Sequence, residues 1–574
     1  MSAVFLFFSA LLIRIFWPRM KPEIHWLCPV LSLALPFSAG GFHTGTTAVL
    51  SLFLALACWE QIRKNGSLQF FANRMVISVF VVFAAYCIAP FWAADKGMAG
   101  FALPRYLPLL LYSLFLMQVS DDLGQQLLQW IPGCGCLMTI LSFLASLFPA
   151  FYPYVTINGR LAGFFQYPNS FSAFLLVGLI LHSFRIRRKA DVFVSFLLMM
   201  GIVLSGSKTV FVLMLLLLSA ILLKRRQLFP AMILGISLAM GLGVGFLANS
   251  LGLLSNADRF TDIHISSGTF LVRLLYFLDV IPYILSHPFG IGYMGYPAIE
   301  GLIQNGRYYV SFIHNGFLQL LLEIGWIPAV LMAFALLSAV LSSKTSPANR
   351  FVLLGVLAHC MLDFDLQFSV FWMLMLSCCN IHSGKQFSLK SHTAPCAAVA
   401  VLCTASLWLG CGDWLYRMEK PELCLKMVPF HTNALTYQMA SSTDPGQIDE
   451  TADRILAFNP THTLALSAKA SISFSKGDIP AMIEYKESAI RTAPYSTEEY
   501  CDYFRMLYTA MELYLKSGDT GSAAHCRNKL LQIPDMMAAV SQKTHVLAGM
   551  TGDDSSLALP PDYNKLLETL RQAD

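Results

Sequence analysis

The sequence predicts an all-α polytopic membrane protein of 12 to 14 helices, followed by a C-terminal α-helical repeat domain. Three observations predict it. Hydrophobic residues make up 56% of the chain and charged residues only 13%, roughly half the charged share of a soluble globular protein. Basic residues cluster in short loops between apolar runs, where they set topology. After about Gly412 the composition turns polar, and a helical-repeat period appears.

Apolar runs long enough to approach a bilayer span lie near 3–17, 26–38, 43–60, 75–93, 103–119, 126–150, 164–183, 191–204, 209–223, 228–248, 313–342, 350–363, 368–383 and 395–411. The runs 26–38, 191–204 and 350–363 are short, so they are tilted, re-entrant or paired. The first run, Ala3–Trp17, lacks a basic leading segment and a small-residue cleavage site, and reads as a membrane segment. The basic clusters are Arg14/Arg19/Lys21, Arg63/Lys64/Arg74, Arg185/Arg187/Arg188/Lys189, Lys224/Arg225/Arg226, Lys344/Arg350 and Lys385/Lys390. With these spans every cluster falls on one side, the cytoplasmic side. The opposite side receives the 250–312 loop, Asp363–Asp365 and the C-terminal domain. The expected division is therefore 1–412, a membrane domain with an outer loop at 250–312, and 413–574, an extracytoplasmic helical domain.

The net charge of +5 comes from the topology-setting loops and gives no case for nucleic-acid binding. The 14 cysteines show no paired metal spacing. Cys134/Cys136 and Cys378/Cys379 read as buried thiols, and Cys424, Cys501 and Cys526 are too dispersed to imply a disulfide.

In the C-terminal segment, Asn459-Pro460 and Ala493-Pro494 are 34 residues apart, the tetratricopeptide period. Gly477-Asp478 and Gly518-Asp519 precede Pro494 and Pro534, with an amphipathic run between each pair. Glycine ends one helix and proline follows the next. Leu464, Ala468 and Ile472 are expected on one face of a 463–474 helix. Two to three helix-turn-helix repeats follow, the second stretched by a longer helix at Glu498–Leu515. Stacked repeats of this kind present a surface for a protein partner; a plain helical cap is the simpler alternative.

The most polar interval of the membrane domain runs from Asn256 to Gly325. Three basic residues lie against the topological bias, Arg160, Lys208 and Arg273, and anion binding is the evident reason. Arg160 stands just before an apolar helix that Pro168-Asn169 is expected to break or kink. A guanidinium there can hold a phosphate through two hydrogen bonds. Lys208, in Ser205-Gly206-Ser207-Lys208-Thr209, tips a helical hairpin next to free helix N-terminal amides, which favours an anion. The upstream glycine and the strand of a nucleotide loop are missing. Arg273, Phe277, Val280 and Ile284 share one face of an amphipathic helix over Thr269–Leu285, expected on the outer membrane surface with Arg273 turned toward the core. Pro288, Gly290 and Gly292 force a tight turn, and His287 closes the helix before it. His314 and Asn315 open a helix that returns through the membrane. His314 can take a proton from a sugar hydroxyl or hold a phosphate. Asn315, Gln319 and Trp326 are expected on one polar face. Glu323 either meets substrate or bonds between helices. Asp363-Phe364-Asp365 is the one outer carboxylate pair, and it makes a poor metal site.

Taken in order, Arg-x-x-Gly-x-Phe-x-x-Pro-Asn, Ser-x-Ser-Lys, Arg273 with His-Pro-x-Gly-x-Gly, and His-Asn with Glu-x-Gly behind it resemble the O-antigen ligase and polymerase superfamily of bacterial envelope glycosyltransferases. The resemblance covers roughly residues 150–345. It implies a membrane glycosyltransferase C fold in the bacterial cytoplasmic membrane, a polyprenyl-pyrophosphate-linked glycan donor and a metal-independent mechanism without cofactors. It places Arg160 and Arg273 on the pyrophosphate and His314 on the acceptor hydroxyl, which belongs to a glycan, lipid or protein. Asn169, Lys208, Gly290, Gly292, Asn315 and Glu323 would line the substrate site. Lys208 stands where many members have arginine, so a point charge replaces a bidentate contact. Two other classes remain: an envelope lipid or glycan transporter, and a scaffold built on the repeats. Transporters show internal repeats and mid-membrane polar sites, and neither pattern is evident here.

Overall fold

The structure is a computed structural model that describes residues 26–120, 122–254, 268–550 and 557–572. The expected span 3–17, the cluster Arg14/Arg19/Lys21 and residues 256–267 of the polar interval lie outside them. The protein is an all-α polytopic membrane protein. Among the described residues six helices are long and apolar enough to cross a bilayer: Thr44–Asn65, Arg74–Phe91, Lys96–Gln118, Asp122–Ser146, Leu228–Ser250 and Thr393–Arg417. Pro168–Ser183, Asp191–Ser205, Trp326–Leu341 and Ser369–Cys378 are shorter apolar helices. Helices satisfy every backbone amide within the segment, which hydrocarbon demands.

Two expected spans differ. The run 313–342 is two helices, Gly316–Ile324 and Trp326–Leu341, because Gly325 sits at φ 81°, ψ −179°, a conformation essentially confined to glycine. The run 26–38 holds only a short helix, Leu27–Pro29, continued by a wider turn over Val30–Ala34. Proline 168 does not kink a helix either; it is the first residue of Pro168–Ser183, where its missing N–H costs nothing.

The chain divides into two compact units, one of residues 1–88, 101–264 and 314–414, the other of 89–100, 265–313 and 415–574. In the first, Pro168–Ser183 and Ser369–Cys378 are buried along their whole lengths. This is why both read as apolar on every face. Asp122–Ser146, Asp191–Ser205 and Pro347–Cys360 pack around Pro168–Ser183. Two short antiparallel pairs complete the unit: Leu68–Ala72 with Lys385–Leu389, and Thr156–Ile157 with Arg160–Leu161.

In the second unit, seven helices from Pro421 to Lys543 pack each on the next. Their starts repeat one device, a side chain accepting from a backbone N–H of the first turn: His431, Asp444, His462, Asp478 and Asp519. Each cap satisfies an orphan amide. Two details depart from the expected pattern. Leu464 is 54% exposed, and Ala465, Leu466, Ala470 and Ile472 form the buried face instead. Pro534 does not follow a helix; it lies inside Thr520–Lys543. The long helix is Thr497–Ser517, and its Glu499 meets the buried Lys486 at 2.5 Å.

The same unit holds the Gly268–Ser286 helix, matching the expected amphipathic run, and Tyr296–Ile303. Asp279 accepts from the Asn305 backbone and side chain and from the Tyr308 hydroxyl. Glu300 accepts from the Val310 amide at 2.6 Å. Burial pushes the Glu300 carboxyl up to about 7, against that one opposing hydrogen bond. The unfolded chain therefore releases this proton near pH 4.5 and the folded chain near pH 7, so stability falls as pH rises between them and is level above. Glu300→Gln keeps an acceptor for Val310 and removes the charge. It is expected to raise stability at pH 8 by on the order of 2 kcal/mol and to change little at pH 4, measured by thermal unfolding in detergent.

Candidate active site

The site is assembled in the first unit from several short segments. Thr156–Ile157 and Arg160–Leu161 form a hairpin whose two turn residues, Asn158 and Gly159, have φ of 51° and 70°. Asn-Gly is the preferred pair for such a turn, because both positions need positive φ. The hairpin delivers Arg160. Its Nε donates to the Ser205 carbonyl at 2.8 Å and its terminal nitrogen to Asn169 Oδ1 at 2.7 Å. Ser205 ends Asp191–Ser205, Gly206 turns at φ 59°, and Lys208 opens the next helix, Lys208–Arg225. Arg160 thus sits on the hairpin tip that carries Lys208.

Asn169 lies in the first turn of Pro168–Ser183. Because its oxygen faces Arg160, its amide nitrogen faces the other way and donates to Asp363 Oδ2 at 2.8 Å. Asp363 is fully buried. It also accepts from the Tyr167 hydroxyl at 2.9 and 3.1 Å and from the Phe364 amide at 3.0 Å. Its Oδ1 lies 3.3 Å from His314 Nδ1. A carboxylate with these donors accepts a proton-bearing Nδ1, which leaves the lone pair of the imidazole on Nε2. His314 stays partly accessible, with 18% of its side chain exposed, and its backbone turns at φ 58°. Phe364 meets the imidazole edge-on at 5.1 Å, and Tyr167 lies 4.7 Å from Phe364. A continuous chain of contacts thus runs from the hairpin tip through Arg160, Asn169 and Asp363 to His314.

The remaining expected site residues take other places. Asn315 caps Gly316–Ile324, accepting from the Phe317 and Leu318 amides and donating to the Met361 carbonyl. Gln319 follows on the same helix, but Trp326 lies beyond the Gly325 break, so the expected shared face ends at Glu323. Glu323 is completely buried and takes hydrogen bonds from Tyr86 at 2.6 Å and Gln319 at 2.7 Å. Tyr86 stacks on Tyr106. These contacts tie Gly316–Ile324 to the Arg74–Ile88 helix. Arg273, Gly290 and Gly292 belong to the second unit. Arg273 is half-buried on Gly268–Ser286, whose Val280 and Ile284 are buried. Gly290 and Gly292 turn at φ 76° and 84°. A Cβ on Gly292 would come within 2.5 Å of Ala93, so the chain needs glycine there. His287 stacks on Tyr283 at the helix end.

Three residues near this network escaped the sequence reading. In the sequence Asp363 reads only as half of a poor metal site; its neighbour Asp365 faces Ser170 and His359. Tyr167 had no signal beyond its place before Pro168. Arg105 is a further basic residue off the expected cytoplasmic clusters, hidden in an apolar helix. It is buried and donates to the Gly41 and Gln367 carbonyls. The Asn158-Gly159 pair is the one signal in the sequence for this hairpin.

Fold and site together define a polytopic membrane protein with a histidine–aspartate pair wired to a cation. Residues 193–334, about a quarter of the chain, match the O-Antigen ligase (Wzy_C) family model. The match takes in Lys208, Arg273, His314, Asn315 and Glu323. It supports glycan transfer of the O-antigen ligase and polymerase kind in general, and hence an enzyme. No curated protein and no solved structure matches the chain.

Proposed function

We propose that the protein transfers a glycan from a polyprenyl-pyrophosphate donor to an acceptor hydroxyl, on the outer side of the bacterial cytoplasmic membrane. The observation that carries this reading is the contact chain from Arg160 to His314. It joins a group suited to a phosphate to a group suited to a hydroxyl proton. His314 Nε2 takes the proton as the acceptor oxygen attacks the anomeric carbon. The bond from that carbon to the pyrophosphate oxygen breaks, and the departing lipid pyrophosphate gathers the negative charge. Arg160 stabilises that charge, with Lys208 as a further cation. The free energy comes from the donor, and arginine and lysine supply the positive charge, so the transfer proceeds without metal. The one-sided basic loops support an outer position for the site, and the C-terminal helices would offer a surface to a protein partner.

The test is reconstitution of the purified protein in liposomes with a polyprenyl-pyrophosphate-linked oligosaccharide, in the presence of EDTA. Longer lipid-linked chains mark a polymerase. Glycan moved to an added lipid or peptide acceptor marks a ligase or a protein O-oligosaccharyltransferase. Oligosaccharide that crosses the bilayer with its linkage intact would replace this reading with a transporter.

A further inference from the structure

We propose that Asp365 and His359 are positioning residues that hold Asp363 against His314 by fixing the connection at 361–367. This deepens the proposed glycan transfer and rests on that reading of His314.

Asp363 and Asp365 flank Phe364, and their side chains take different partners. Asn169 and Ser170 are consecutive on Pro168–Ser183. Asn169 donates to Asp363 at 2.8 Å, and Ser170 donates to Asp365 Oδ1 at 2.6 Å. The other oxygen of Asp365 is hydrogen-bonded to His359 Nδ1. His359 stands in the last turn of Pro347–Cys360. Asp365 therefore joins two helices through one carboxylate, two residues from Asp363.

Burial assigns the kind of role. His359 is 1% exposed and Asp365 0%, so neither reaches a substrate. They act through the backbone between them and Asp363. That backbone is held at its edges as well: Asn315 donates to the Met361 carbonyl at 3.0 Å, Trp372 to Leu366 at 2.8 Å, and Arg105 to Gln367 at 2.8 Å. The Asp363–His314 distance of 3.3 Å lies at the long end of a hydrogen bond. A shift of about 0.5 Å at the connection breaks it, which is the tolerance that catalytic geometry allows.

The experiment combines Asp365→Asn, His359→Gln and Ser170→Ala, singly and each with Asp363→Asn, in full-length protein reconstituted in liposomes. One readout is kcat and KM for transfer from a polyprenyl-pyrophosphate-linked oligosaccharide. The other needs no substrate: the rate at which diethyl pyrocarbonate modifies His314, read by peptide mass spectrometry. Asp365→Asn and His359→Gln are expected to lower kcat about 10-fold with KM unchanged, and Ser170→Ala about threefold. None should lower kcat further once Asp363 is Asn, because coupled residues are not additive. The His314 modification rate should change in the same direction for Asp365→Asn as for Asp363→Asn, and no more in the double variant. Losses that multiply independently, or an unchanged kcat and modification rate, would overturn the proposal. If the wild-type protein transfers no glycan, the proposed function fails, and the modification rate alone decides the positioning role. If Asp365→Asn does not fold, Ser170→Ala, which deletes one hydrogen bond, carries the same comparison.

Discussion

Asp363→Asn is expected to lower glycan transfer by about 10²- to 10³-fold while leaving donor affinity within about twofold. The substitution preserves volume, and its carbonyl can still accept from Tyr167 and Asn169. What changes is the side turned to His314, which also loses the acceptor of the Phe364 amide. An amide nitrogen there donates to Nδ1, so the imidazole proton moves to Nε2. The lone pair then points away from the acceptor hydroxyl, and the base is lost although the ring is in place. His314→Ala should cost at least as much. Rates at saturating donor, with KM followed in parallel, separate this from a loss of binding. A kcat within threefold of wild type would show that the Asp363 contact does not set the base.

Arg160→Ala should be as severe, about 10²- to 10³-fold in kcat/KM, and should raise KM as well as lower kcat. The guanidinium does two things at once. It offers positive charge to a phosphate, and it spans the Ser205 carbonyl and Asn169 Oδ1, 2.8 and 2.7 Å away. Arg160→Lys keeps the charge but cannot make both contacts in fork geometry. With Oδ1 unheld, the Asn169 amide loses its reason to aim nitrogen at Asp363. Lysine is therefore expected to recover less than a tenth of the activity. Lys208→Ala, by contrast, removes a point charge from a helix start and should cost about 10-fold. Equal activity for Arg160→Lys and wild type would reduce Arg160 to a charge alone.

The helices were largely legible because hydrocarbon leaves the backbone few choices. Thr44–Asn65, Leu228–Ser250 and Gly268–Ser286 fall within a few residues of the runs read from composition. What composition could not show was a break inside an apolar run. Gly325 divides two helices between Ile324 and Trp326, and only its backbone angles reveal why. Arg160, Lys208 and His314 stood out because charge and imidazole are conspicuous at a membrane edge. Asp363 did not, since its meaning lies in partners 49, 194 and 196 residues away. A carboxylate two residues from another invites a metal reading when neither partner is visible. Arg105 was hidden for a related reason: its charge is absorbed by two carbonyls from distant parts of the chain, which no local pattern signals. Glu323 stands out as charge does, yet what it meets is Tyr86 of another helix and Gln319 of its own.

The left-handed backbone of His314, at φ 58°, sets a limit for anyone engineering this protein for heat resistance. A residue with a Cβ loses about 1 kcal/mol by sitting there, and glycine does not. His314→Gly would relieve that strain but take the imidazole away from the buried Asp363 and from Phe364, which costs about as much or more. The gain at the backbone is offset where the site is wired, so durable variants are better sought away from this turn.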